Sequence, residues 1–370
     1  MIELNVFTYD FERIGTIEHY ISLSIERNYY QRSVLELDIE ATARNIELLQ
    51  KYNVLTTTTN INYGYIITHF AYTDNEDGEQ IKVFAYSLNH LFDWRTITRQ
   101  ERRNGNVETV LKQFIAKQCI TPTDNKRVMP RLVLADNSGI DITTESTVTG
   151  KNLEEFAWEY CQKHEITIDV LMNHATKQYE VYTWQGRNLS EGVAENAVKF
   201  SKEFENVASI EFVHDDSELR TTAYVAGEGE GNARAIAVTN DNLSGLERKE
   251  IFIDARDLQS NYRDDNDNDV TLTAAEYRLL LTSRGLEELA ELKTIETFEG
   301  EIIDTQFRYG IDYSLGDIVS FKSERLNRIL HTRVTSVLRT VDSNKKSELV
   351  VSFGNKIPTL LDKIKKAVKK

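Results

Sequence analysis

From residue 33 to 41 the chain alternates, with Leu35, Leu37 and Ile39 set against Glu36 and Asp38, the period of a strand with one wet face. ATARNIELLQ then reads as a short helix, and the runs at 54–59, 63–72 and 81–86 read as strands, the last two separated by the turn-rich DNEDGEQ. Residues 1–101 are expected to form a small antiparallel sheet with one helix.

After RQERRNG the period lengthens. Val107, Val110, Leu111, Phe114 and Ile115 fall on one helical face, and Leu153, Phe156, Ala157, Tyr160 and Cys161 repeat that spacing. The strands EITIDVLM and YEVYTWQG, joined around 173–177, complete an expected α+β unit over 102–200. From 201 to 370 strands return, interrupted by one helix from about 274 to 293. Thr273 and Glu276 open it with the spacing of a capping box, in which hydroxyl and carboxylate satisfy free backbone amides, while Gly285 allows a break. The strand triplet at 54–59, 63–72 and 81–86 has an echo at 318–322, 329–340 and 349–353. The first and last segments therefore read as two versions of one barrel-like unit.

Composition narrows the function. The 44 Lys and Arg against 59 Asp and Glu leave a net charge of −15, which disfavours nucleic-acid or anionic-membrane binding because phosphate contact needs positive charge. Cys119 and Cys161 have no CxxC spacing and no partner His, so neither a disulfide framework nor a zinc site is supported. No basic-then-apolar leader opens the sequence, and no run of about 18 apolar residues occurs, which points to a soluble, non-secreted chain. Only 3 Pro beside 17 Tyr and 15 Phe argue for β-rich packing over disorder.

Several stretches invite chemistry. In AYVAGEGEGNARAI, Gly227, Gly229 and Gly231 lack the following helix of a dinucleotide fingerprint and the Lys-Ser/Thr of a P-loop, and Glu228 and Glu230 would repel phosphate. A hairpin with an acidic tip is the expectation. Asp265, Asp267, Asp269 and Glu276 match positions 1, 3, 5 and 12 of a calcium loop, but Val270 stands where glycine makes the turn, so an acidic linker is favoured and calcium binding is left open. The seven histidines form no HExxH or other close ligand pair, and His69 and His331 fall within strands. No GxSxG elbow is present. No catalytic, cofactor-binding or metal residue is assigned, and no enzyme is expected. Arg95, Arg99, Arg102 and Arg103 beside Trp94 suit a protein interface or a charged connection, and the last eight residues carry five Lys.

The order of landmarks resembles the hub proteins at the distal end of siphophage tails. FERIGTIEHYISLSIERNYYQRSVLELDI, SLNHLFDWRTI, NLEEFAWEYCQKHEITIDV, YEVYTWQGRN, VAGEGEGNAR, LTAAEYRLLLTSRGLEELAEL, YSLGDIVSF and VVSFGN follow one another as in that family. The resemblance implies an α+β, mainly β chain with two tail-tube-like antiparallel β-barrel domains and an intervening small α+β domain. It also implies a homotrimer whose six barrels meet a six-fold tail tube or distal tail ring, with a tip, fibre or tail-lysin protein as a further partner. Such a protein sits in the virion tail tip of a phage, prophage or tailocin, lines the DNA ejection channel without reading sequence, and is made in the host cytoplasm. A carbohydrate-binding tail-tip protein is the alternative, and a cell-wall hydrolase is third.

Overall fold

A computed structural model describes residues 2–76, 78–263, 269–303, 306–325, 327–343 and 346–354. The chain is α+β and mainly β, and it forms two compact units, each assembled from three separate stretches: 1–23, 30–184 and 218–293 in the first, 24–29, 185–217 and 294–370 in the second.

In the first unit, Val54–Thr57, Asn60–Asn75 and Gly78–Ser87 run as an antiparallel meander. Val34–Glu40 pairs with the last of these, setting Leu35, Leu37 and Ile39 opposite Ala85, Val83 and Ile81. All six side chains are buried, as the alternation requires. On the other side Val54–Thr57 pairs with Leu4–Phe7, which pairs with Arg13–Ile17. Helix α1 (Ala43–Leu48) starts where the Thr42 hydroxyl accepts from the Asn45 amide.

Helices α2 (Val107–Ile115) and α3 (Leu153–His164) are each capped by an asparagine, Asn106 and Asn152, whose side-chain oxygen accepts from two backbone amides. The two apolar faces read from the sequence are buried. They close a core over the hairpin of Thr167–Asn173 and Gln178–Trp184. A clamp on α2 orders the loop after it. Fully buried Glu108 accepts from the amides of Ser138, Gly139 and Ile140 and from the Thr183 hydroxyl. One turn on, Lys112 donates to the carbonyls of Ala135 and Asp136 and to the Asn137 side chain at 2.9–3.0 Å.

Residues 218–293 carry a second core of their own. Thr222–Ala226 pairs antiparallel with Ile236–Thr239 and parallel with Glu250–Asp254. Helix α4 (Ala274–Glu291) covers one face, placing Tyr277, Leu280, Leu281 and Leu289 against Ala223, Val225, Ala237 and Ile253. The parallel pair departs from the all-antiparallel expectation. The strand after Thr222–Ala226 pairs on one of its edges, and the 240–249 connection then passes its start to bring Glu250–Asp254 to the other edge in parallel. Gly285 does not break α4. A Cβ there would collide with Thr239 and lie 2.9 Å from Val225, so glycine brings helix and sheet together.

In the second unit Ile318–Ser323, Arg328–Val341 and Ser347–Gly354 form another antiparallel meander, followed by Ile295–Ile302 and then Val207–Asp215. The last two pair from Val207 opposite Ile302 to Asp215 opposite Ile295. The chain that would form their hairpin turn instead runs out through 218–293. The core is aromatic, with the Phe200 ring 5.4 Å from Tyr313, 5.2 Å from Phe321 and 5.7 Å from Phe353.

The echo read from the sequence holds at the level of register. Val54 opposes Ile66 and Ile318 opposes Arg333. Two residues after that partner, each long central strand carries one extra residue, Thr68 between Ile67 and His69 and Thr335 between Val334 and Ser336. Such a bulge bends a strand and raises its twist. In both meanders the strand that precedes them in sequence, Val34–Glu40 or Ile295–Ile302, pairs with the third strand.

Candidate functional site

The most constrained site in the second unit joins four stretches that are far apart in sequence. Gly186 sits so close to Gly316 that a Cβ would overlap the Gly316 carbonyl. Asp317, 3% exposed, accepts from the Arg187 guanidinium at 2.6 Å, from the Arg187 amide at 2.8 Å and from the Ser314 amide at 2.9 Å. The backbone is stitched on both sides, Ile318 amide to Arg187 carbonyl and Leu189 amide to Ile318 carbonyl, each at 2.8 Å. Arg333 donates to the Gly316 carbonyl at 2.6 Å and lies 5.1 Å from the Tyr29 ring centroid, while the Tyr29 hydroxyl accepts from the Gly186 amide. Tyr29 belongs to NYYQ, Gly186 and Arg187 to TWQGRN, and Gly316 and Asp317 to YSLGDIVSF, so three landmarks of the sequence meet here. The clamp holds structure and offers no reacting group: its one buried carboxylate is saturated by donors.

Other candidate chemistry has the same character. Ser320 and His331 face each other across adjacent strands at 2.9 Å, yet Ser320 is 1% exposed and also accepts from the Glu191 amide. They form a cross-strand pair. His90, Asp93 and Glu154 bring donor atoms within 4.8 Å. The Arg32 guanidinium stands among them, 2.9 Å from both His90 Nδ1 and Glu154 Oε2 and 4.3 Å over the Tyr86 ring. A cation already occupies that position.

The stretches that invited chemistry each take a structural place of their own. The glycine-rich run forms the expected hairpin: Gly229 takes φ +94°, and a Cβ on Gly227 would strike the Tyr277 hydroxyl of α4. Glu276 is engaged by Thr273 in the capping box, and Asp269 pairs with Arg263. Asp265 and Asp267 lie outside the described residues, as does the lysine-rich tail. Arg102 pairs with Glu145 and Arg103 with Glu101, while Arg95 donates to the Arg127 carbonyl. His69 lies in Asn60–Asn75, 5.4 Å from the Phe84 ring. Sequence reasoning missed the Asp317 clamp. Its only local signal was a glycine beside a charged residue in both GRN and GDI.

The sequence pattern of the Siphovirus ReqiPepy6 Gp37-like protein family matches residues 3–355. The chain belongs to that family. Among solved structures it is similar to the prophage tail protein gp18 from Listeria monocytogenes EGD-e, at 11% identity and a TM-score of 0.55, covering 100% of this chain and 99% of that one. It is also similar to the tail protein from Neisseria meningitidis MC58, at 11% identity and a TM-score of 0.54, covering 96% and 97%. No curated protein matches it. The fold is that of prophage tail proteins, and family and fold together support a structural role in a phage tail. No helix among the described residues is long and apolar enough to cross a membrane.

Proposed function

We propose that this family member is the hub of a siphovirus-type tail tip, a homotrimer in which each subunit presents two tube-like barrel modules, built around the meanders of the 1–101 and 201–370 segments. The observation that carries this reading is the shared register of the two meanders, with an extra threonine at the same place in each. Three subunits with two equivalent modules each present six near-equivalent surfaces, so a three-fold tip can meet a six-fold tube or distal tail ring. A closed ring also leaves no sheet edge free to recruit further chains. The charge of −15 suits a channel wall that repels DNA phosphates and lets the duplex slide. Particle type, whether phage, prophage or tailocin, does not alter this geometry.

Mass measurement of the purified chain, alone and with its tail-tube or distal-tail protein, tests the reading. A trimer that caps the tube supports it. A monomer that binds glycans and ignores the tube overturns it in favour of a host-surface binding protein.

A further inference from the structure

The 218–293 lobe meets α3 across a hollow polar junction. Its apolar core, from Ala223 to Leu289, is separate from the core that α2 and α3 close. Between them lies a cavity of about 340 Å³. The floor is apolar, formed by Val148, Phe156, Tyr160 and Ala290. Carboxylates face one another over it, Glu159 from α3 and Glu287 and Glu291 from α4. Lys163 of α3 reaches Glu287 at 3.3 Å, and Lys151, just before α3, bonds Glu159. Arg284, Glu288 and Lys293 complete the α4 side. Glu155 and Glu165 stand at the two ends of α3, and His164 there bonds the Thr144 hydroxyl. Both ends of the lobe leave the same hairpin of the second unit, around 216–217 and 293–294, so the lobe is tethered at one place. A body with its own core, a single tether and a cavity of this size on its facing side has the geometry of a joint.

We propose that this junction is a proton-responsive joint, closed when Glu159 and Glu287 carry protons and opened when both are ionised. Ionised, Glu159, Glu165, Glu287, Glu288 and Glu291 outnumber the cations Lys151, Lys163, Arg284 and Lys293 around a cavity with an apolar floor, and the charge on the two most enclosed carboxyls is gained at a cost in hydration. Opening hydrates them. The electrostatics agree in sign. Burial pushes the Glu159 carboxyl up to about 7, with Lys151 pulling it down and Glu291 pushing it further up. Burial likewise raises Glu287 against the pull of Lys163 and Arg284. His164 is held down to about 4 by burial and by Lys163, so it stays neutral across this range. A carboxyl whose proton affinity is higher in the closed form favours closure below its ordinary value near 4.5, and that preference is lost as pH rises to about 7. One proton gives at most about a tenfold change per pH unit. A third of the Glu159 side chain remains in water, which makes tenfold an upper bound.

Hydrogen exchange of the full chain between pH 5 and pH 8, corrected for the intrinsic pH dependence of exchange, reads the joint. Exchange in 286–291 and 159–163 should quicken severalfold up to pH 7 and then level off, while the lobe strand Thr222–Ala226 stays protected. The variant E159Q/E287Q should hold the slow, low-pH behaviour at pH 8. Flat exchange in the wild type, or identical profiles in both proteins, overturns the proposal. Should the double variant fold poorly, nitroxides at Q162C and L286C in the otherwise unaltered chain give the second measure. Their separation widens from pH 5 to pH 7 if the joint opens, and an unchanged separation refutes it.

Discussion

The two meanders share a register and differ in what fills it. In the first, Gly64 lies opposite Thr56, and a Cβ there would come within 2.7 Å of Val54, 2.8 Å of Leu88 and 2.9 Å of Met172. The matching position in the second holds His331, opposite Ser320 and bonded to it. Ile66, buried in the first, is matched by Arg333, which the second uses to grip Gly316 and Tyr29. Around these positions the first core is largely aliphatic, with Ile66, Ile67, Ile81 and Val83, whereas the second is built on Phe200, Tyr313, Phe321 and Phe353. Backbone pairing and bulge position are thus kept while side chains adapt to the neighbouring layer. In the first, that layer is the α+β region, whose Met172 needs a bare backbone to pack against. In the second it is a pair of loops that must be tied down by charge and hydrogen bonds.

The largest effect should come from deleting Thr335. Removing the extra residue leaves Val334 opposite Phe353 and Ser336 opposite Ser352, but it takes away the bend and twist of the bulge together with the Thr335 bonds to the Tyr29 amide and the Gly354 carbonyl. The cooperative unfolding transition of the second unit should disappear in circular dichroism and calorimetry, while that of the first survives. Next is Gly186→Ala, whose Cβ has no room against the Gly316 carbonyl. A loss of about 3 kcal/mol in urea unfolding is expected, the upper range for overpacking, and a loss below 1 kcal/mol would show that the clamp yields easily. Gly64→Ala should cost about 1–3 kcal/mol through its three close neighbours. At the matched position, His331→Ala should cost only about 1 kcal/mol, the net worth of one hydrogen bond. Equal losses would erase the distinction drawn between the two cores.

The smallest effect concerns Glu108 beside the first meander. Burial alone would raise its carboxyl, but hydrogen bonds from Thr183, Ser138, Ile140 and Gly139 outweigh that and hold it below the usual carboxylate range. A carboxyl that binds its proton less tightly in the folded state adds stability above its unfolded value, near 4.5, and that stability is lost as pH falls through the lower folded value. Acid titration of stability should therefore be flatter in Glu108→Gln than in the wild type below pH 4.5. Parallel curves would mean the clamp does not depend on the charge.

The sequence by itself determined the local elements. The alternation of Leu35, Leu37 and Ile39 fixed a half-buried strand, the apolar faces of Val107–Ile115 and Leu153–His164 fixed two helices, and Thr273 with Glu276 fixed the start of a third, because these signals lie within a few residues of one another. The repeated triplet was legible for the same reason. What only the tertiary structure decided is how distant pieces meet: the parallel pairing of Thr222–Ala226 with Glu250–Asp254, the lobe set into the hairpin of Val207–Asp215 and Ile295–Ile302, and the closure of Gly186 and Arg187 on Gly316 and Asp317 across 130 residues. Register between strands far apart in the chain rests on packing and on single bulged residues, and neither leaves a periodic trace in a linear sequence.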